Sequence, residues 1–486
     1  MSSTDKIVKD GLYYSSARYL SEFAFVIRGI VAAKLLGPSA YGLWAMLKTY
    51  IKMSEFASGG TANAMYRQVP LKIGERKNDE VHRIQESTFS FGFIVSAVVC
   101  GITLLASFLT KNPLLLQLAA VIFLARNIHF FLIFRLKSEK KIELVAKYEL
   151  ADAVLNTFLT IVLMLFFGLK GLVIGTLVTS VGLIIFMASR GYLRFRIRLD
   201  REKTVWLLKL GFPIMILALS GFFMYNIDKI AIFFVLGSTM TGYYSLASFF
   251  SNIVGYIPLT VSTVLIPRMM FDLGKTRDRQ SLVPYYLKPL GLLSMLVPRL
   301  MGGLYLIVEL PIALLLPKYG PAIPVLKILL PGLVFVTMLS IPQNILIALE
   351  KQTRLMVMLI GLLIVGLALD LAVLKAGFGI YGVAAVTTTL YFTASLVFNI
   401  YATRSLSIPS SRIVTFYLPT LYVAFAVAVS MYWDSVAVQL VTYAVLTAPL
   451  LKIIDNRYQM IDLLRRLSKS PPPKTSEKAI APGRPE

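Results

Sequence analysis

Apolar runs of about twenty residues, each long enough to cross a bilayer as a helix, follow one another along nearly the whole chain. They lie near residues 12–34, 40–65, 89–110, 114–134, 149–168, 171–190, 210–236, 241–266, 288–313, 322–349, 355–375, 380–402, 413–433 and 436–453. Short polar stretches separate them. In hydrocarbon every backbone amide must find its partner inside its own segment, so runs of this length predict helices. The expected fold is an all-α integral membrane protein with about fourteen transmembrane helices, numbered here as spans 1 to 14.

The basic residues give an independent check on that numbering, because Lys and Arg in short loops stay on the cytoplasmic side. Loops after even-numbered spans carry Arg67, Lys72, Arg76, Lys77 and Arg83, then Arg135, Lys137, Lys140, Lys141 and Lys147, then Arg190 to Lys203, and later Arg268 to Lys288, Lys351, Arg354, Arg404 and Arg412. The other loops offer only Lys111, Lys170, Lys318 and Lys375. One missed span would invert every later loop, so the alternation supports an even count. It predicts an inner-membrane protein with both termini cytoplasmic.

Two echoes divide the spans into halves. Leu36 to Trp44 resembles Leu236 to Tyr244 at an offset of 200, with Gly37 and Gly42 matched by Gly237 and Gly242. Gly168-Leu-Lys-Gly171 resembles Gly379-Ile-Tyr-Gly382. The pattern predicts two six-helix lobes of like orientation, 1–190 and 210–403, a basic cytoplasmic linker at 191–209, two extra helices in 404–455, and a cytoplasmic tail at 456–486 that is disordered towards its Pro-rich end. The linker has the apolar residues for an interfacial helix, with Phe195, Ile197, Leu199, Trp206 and Leu207 dipping into lipid, or serves as a solvated connector.

Composition narrows the chemistry. Of 486 residues 57% are hydrophobic and 15% charged, and the mean hydropathy is +0.73, too apolar for a water-soluble globule. A net charge of +24 would point to nucleic acid in a soluble protein, but here the basic residues punctuate apolar segments. They set topology and attract anionic lipid headgroups, so no nucleic-acid partner is expected. One cysteine, Cys100, forbids an internal disulfide, and two histidines make no conventional structural metal site. No cofactor is required.

Ala33-Lys-Leu-Leu-Gly-Pro-Ser-Ala-Tyr-Gly-Leu-Trp-Ala-Met46 resembles the first hairpin of the polysaccharide-biosynthesis flippases of the Wzx O-antigen type. Gly211-Phe-Pro-Ile and Asn226-Ile-Asp-Lys-Ile look like that family's seventh span, and Leu316 to Lys327 like its entry to the tenth. The resemblance runs from about residue 10 to 450, within a superfamily that also holds multidrug extrusion carriers and lipid II flippases. It implies two six-helix bundles in a V around a central cavity. It also implies a polyprenyl-diphosphate-linked oligosaccharide as cargo, carried from the cytoplasmic to the outer leaflet by alternating access for cell-surface polysaccharide or glycoconjugate synthesis, with polysaccharide-assembly proteins as partners. Arg28 falls where a cavity arginine of the lipid II flippases would lie.

Charged side chains inside a span cost roughly 2.5–3.5 kcal/mol each on insertion scales, so they face water or a partner and are the natural site candidates. Lys48, Lys52 and Glu55 fall at i, i+4 and i+7, on one stripe of span 2. Arg18 and Glu22 are spaced for an intrahelical pair, with Arg28 on an adjacent face. A diphosphate would be drawn to such a cationic vestibule. Snorkelling or structural pairing is the competing reading for each of these residues. Arg126 with His129, Asn226 and Arg299 extend the list of binding residues. Asp228, Asp152 and Asp370 are candidates for coupling to H+ or Na+, or else simple structural partners of Lys and Arg. Asp228 and Lys229, being adjacent, point to different faces.

No Walker loop, zinc-protease motif or nucleophile elbow is present, and no soluble insertion could hold a nucleotide domain, so the chain is expected to be a carrier and not an enzyme. The alternatives are a cation-coupled multidrug exporter, which would want an acidic or aromatic cavity, and a membrane oligosaccharide polymerase or transferase, which would want a large outer loop.

Overall fold

The computed structural model of the protein describes residues 3–110, 113–193, 197–254, 269–270, 272–276 and 278–458. Among these, every regular element is a helix. Phe195, the second half of span 8 and the tail beyond 458 lie outside the described residues.

The predicted turns appear where glycine permits them. Span 1 and span 2 are one helical stretch, Ser3–Lys52, that reverses at Gly37, whose φ of +71° is open to a residue without Cβ. Gly237, at φ +82°, makes the matching reversal between helices Ile227–Leu236 and Ser238–Val254. Gly168 and Gly379 also take left-handed backbones, at φ +55° and +58°, so both sequence echoes correspond to backbone echoes.

Span 2 departs from expectation. Instead of one helix over 40–65, the helix stops at Lys52, a 3-10 turn covers Met53–Phe56, and a new helix runs over Thr61–Gly74. Gly59 and Gly60 lie between, with φ of +59° and +88°. The Asn127 side-chain amide donates to the Ser54 carbonyl oxygen at 3.0 Å, satisfying one backbone group that the break exposes. Span 7 is likewise divided at Tyr225–Asn226, between Arg201–Met224 and Ile227–Leu236.

The linker is also shorter than predicted. Helix Arg201–Met224 begins inside it, capped by Asp200, whose carboxylate accepts from the Lys203 amide at 3.1 Å. Leu207 is fully buried against the first half and does not dip into lipid. Losing this N-cap in Asp200→Ala should cost about 1 kcal/mol, read as a small fall in thermal stability in detergent, while Asp200→Asn should restore it.

Ten helices among the described residues are long and apolar enough to cross a membrane. One of them, Ile142–Ser189, is two spans joined at Gly168. The charged Ser3–Lys52 stretch and the 17-residue Ser238–Val254 helix are not among the ten, which brings the total near the predicted fourteen. On Asn78–Ser107, Ile94, Val98, Ile102 and Leu105 share one face and are 40–73% exposed. Such a bare apolar stripe belongs against acyl chains.

Within the first half, Ser3–Lys52 packs on Ile142–Ser189, and Pro113–Ser138 on both Asn78–Ser107 and Ile142–Ser189. In the second, Ala322–Ala348 packs on Gly379–Ser405, Val283–Ile307 and Ser238–Val254. The last two helices, Arg412–Ser430 and Val436–Tyr458, lie against Val283–Ile307. The halves meet where Ser3–Lys52 touches Ser238–Val254 and where Thr61–Gly74 touches Arg201–Met224.

Candidate functional site

Span 1 carries three of the predicted charges, and the structure treats each differently. Arg18 is exposed and donates to the Tyr14 hydroxyl at 3.5 Å. Glu22 is half-buried one turn on. Arg28 is buried: its guanidinium donates to the Asn156 side-chain oxygen and lies 4.9 Å from the Phe25 ring and 5.8 Å from that of Trp44. It is thus turned into the first half and lodged between spans 1, 2 and 5.

Lys48 behaves differently. Its side chain is exposed, and its charged neighbours are Arg28, Lys52 and Glu22 of the first half and Lys229 of span 7. Since Lys229 belongs to span 7, Lys48 stands on the side of the first half that faces the second. Lys52 is exposed and pairs with Glu55 at 2.5 Å, across the start of the 3-10 turn. Of the predicted stripe, Lys48 and Lys52 are exposed on the helix, while Glu55 lies beyond its end in the 3-10 turn.

Arg126 and Asp152 form a two-point ion pair at 2.6 and 3.2 Å. Arg28 also feels this pair, attracted by Asp152 and repelled by Arg126. Asp152, Asn156 and Thr160 are buried at i, i+4 and i+8 on one face of span 5, a spacing through which Asn156 was legible in the sequence. His129 packs on Tyr148 at 4.9 Å, with its Nδ1 3.1 Å from the hydroxyl.

The second half contributes through the break in span 7. Asn226 uses its side-chain amide to donate to the Phe222 carbonyl oxygen at 2.8 Å, and its side-chain oxygen accepts from Lys229 at 3.4 Å. The Lys229 ammonium also donates to the Tyr225 carbonyl oxygen at 2.7 Å. Its proximity to Lys48 was missed, because adjacency to Asp228 hid that the broken helix turns the two side chains apart. Asp228 points the other way: it accepts from the Tyr244 hydroxyl at 2.6 Å, and that hydroxyl is 3.1 Å from Thr387. A small cavity there is lined by Asp228, Asp370, Thr387 and Tyr391, and one Asp370 oxygen is buried without a hydrogen-bond partner among the described residues.

Arg299 is not brought to this cluster. Its guanidinium donates to the Thr447 carbonyl oxygen and its own carbonyl accepts from Tyr443 at 2.6 Å, so it fastens span 14 to span 9.

A family profile described as polysaccharide biosynthesis protein matches residues 31–323, more than half of the chain. The chain belongs to this family. Among solved structures it resembles the lipid II flippase MurJ in an inward closed conformation, with 18% identity and a TM-score of 0.71 over 93% of this chain and all of that one. It also resembles an inward-facing multidrug resistance MATE family transporter of the MOP superfamily, with 17% identity and a TM-score of 0.66 over 80% of this chain and 94% of that one. A third similar structure is a MOP superfamily transporter from Pyrococcus furiosus, described by the reverse polarity of its binding pocket, at 17% identity and a TM-score of 0.52 over 82% and 94% of the two chains. No curated protein sequence is a significant match. The family match makes the chain a polysaccharide biosynthesis protein, and these likenesses show that it has the multi-pass membrane fold of MurJ and the MATE transporters.

Proposed function

We propose that this protein moves a polyprenyl-diphosphate-linked oligosaccharide from the cytoplasmic to the outer leaflet of the inner membrane by alternating access, with both termini in the cytoplasm and polysaccharide-assembly proteins as its partners. One observation carries the reading: an exposed Lys48 where the halves meet, without an ion pair or hydrogen bond among the described residues and with three cations, Arg28, Lys52 and Lys229, among its charged neighbours. A diphosphate would supply the missing negative charge, and in a gap shielded from bulk water each ammonium attracts it more strongly than at a surface. The polyprenyl chain would stay among acyl chains beside the exposed apolar faces. Such carriage needs no bond making or breaking. The test is a reconstituted liposome assay that follows a fluorescent polyprenyl-diphosphate glycan between leaflets; a protein that leaves it unmoved while exporting lipophilic cations would overturn the reading.

The MATE likeness, together with the buried carboxylates Asp228 and Asp370, favours a cation-coupled exporter as the second reading. The cationic gap argues against a cationic cargo. The carboxylates serve either cargo as a coupling site: two buried groups of like charge are best held with a proton or a cation such as Na+ shared with Thr387. Asp370→Asn is expected to abolish the acceleration of transport by an imposed Na+ or H+ gradient while cargo binding persists. A variant that still responds to both gradients would remove this cavity from coupling.

A further inference from the structure

We propose that the gap is closed at its two ends by two glycine crossings, Gly42 against Gly242 and Gly60 against Gly211, which act as separate gates. The proposal rests on the alternating-access part of the reading above, not on the cargo. At the end that carries the Gly37 and Gly237 turns, a Cβ added to Gly42 would lie 1.8 Å from the Ser238 carbonyl oxygen, and one on Gly242 would lie 1.9 Å from that of Pro38. Two backbones thus touch with nothing between them. Side chains seal the same end: the Ser39 and Ser238 hydroxyls are 3.0 Å apart, and Tyr319 donates to the Ala33 carbonyl oxygen at 3.0 Å while its ring meets Tyr41 and Tyr243 edge-on, each at 6.1 Å.

At the opposite end the same construction recurs with different residues. A Cβ on Gly60 would lie 2.3 Å from the Gly211 carbonyl oxygen, and one on Gly211 would lie 1.9 Å from that of Gly60. Phe56 and Phe222, the latter about three turns along the helix from Gly211, also pack across the halves with centroids 5.5 Å apart. In each case one partner comes from span 2 and its extension, the other from span 7 or 8, so both crossings join the two halves. Lys48 lies between them in sequence, on the segment that runs from Gly42 to Gly60. At the crossings themselves backbone meets backbone, so only the few side chains around them must separate for each to part and re-form. The break at 53–60, held by Asn127, lets the Gly60 end move without dragging the Gly42 end.

The experiment places a reporter cysteine in the gap, Lys48→Cys in a Cys100→Ser background, and labels it in oriented vesicles with a membrane-impermeant thiol reagent from either side, without cargo. Gly211→Ala should raise labelling from its own face roughly tenfold or more, because a methyl cannot be fitted against backbone at that distance, and Gly42→Ala should do the same from the Gly37 face. Gly221→Ala, on the same helix as Gly211 with nothing near its Cβ, should leave both rates unchanged. A disulfide from Ser39→Cys with Ser238→Cys should suppress labelling from the Gly37 face until reduced, which tests that gate even where an alanine variant fails to fold. Equal labelling from both faces in all variants, or no response to the disulfide, would overturn the proposal. Gating that behaves as stated, together with a protein retaining Lys48 that does not move the glycan lipid, would sink the cargo assignment alone.

Discussion

Lys48→Ala is expected to weaken binding of a diphosphate-linked glycan roughly 10- to 100-fold, the effect of losing one charge-assisted contact worth about 1.5–3 kcal/mol, and to slow translocation in proportion at limiting cargo. The protein should remain folded, because Lys48 has no ion pair or hydrogen bond among the described residues and its removal relieves repulsion from Arg28, Lys52 and Lys229. Lys48→Arg should retain most binding, since charge is what the site offers there. Equilibrium binding and leaflet-resolved transport on the same preparations check this, with thermal unfolding as the control. A Lys48→Ala protein that binds and carries the glycan normally would mean that the exposed ammonium faces no cargo.

The opposite outcome is expected at the Arg126–Asp152 pair, where the effect is on stability. Removing Asp152 strands the half-buried Arg126 and deprives Arg28 of its nearby carboxylate, so Asp152→Ala should destabilise by about 3–5 kcal/mol, the usual cost of breaking a buried pair. Arg126→Met alone leaves an unpaired buried carboxylate and should cost a similar amount. Combining Arg126→Met with Asp152→Ala should recover much of the loss, because no isolated charge remains. Thermal unfolding of the three variants in one detergent measures the coupling. Full stability in either single variant would show that the charges are solvated and belong to the gap instead.

The contrast between these residues shows how far the sequence was informative. Hydropathy was enough for the all-helical membrane fold and most of its spans, because backbone satisfaction in lipid leaves few alternatives, but not for the breaks in spans 2 and 7. The Gly37–Gly237 echo was legible too, since both turns need the same left-handed glycine. Lys48 was legible as a charge on an otherwise apolar face. Arg28 shared that signal, yet it is lodged against Asn156, Phe25 and Trp44, because a guanidinium can be satisfied by an amide and aromatic faces as well as by water. Arg299 shared it as well and serves to anchor span 14. Hydropathy gives depth, not rotation, so it cannot separate these three. The break in span 2 was hidden because Gly59-Gly60 is followed by residues that continue a helix, and only the close approach of Gly211 shows why the chain turns there. Lys229 became visible once the break in span 7 set its direction.

The most direct measurement of the central claim is competitive binding to the purified protein in lipid nanodiscs of two probes, a short-chain polyprenyl-diphosphate glycan and a lipophilic monovalent cation. A cationic gap predicts that the glycan lipid binds, that rising salt weakens it, and that the lipophilic cation neither binds nor competes. Tight binding of the cation, with the glycan lipid excluded, would contradict the account.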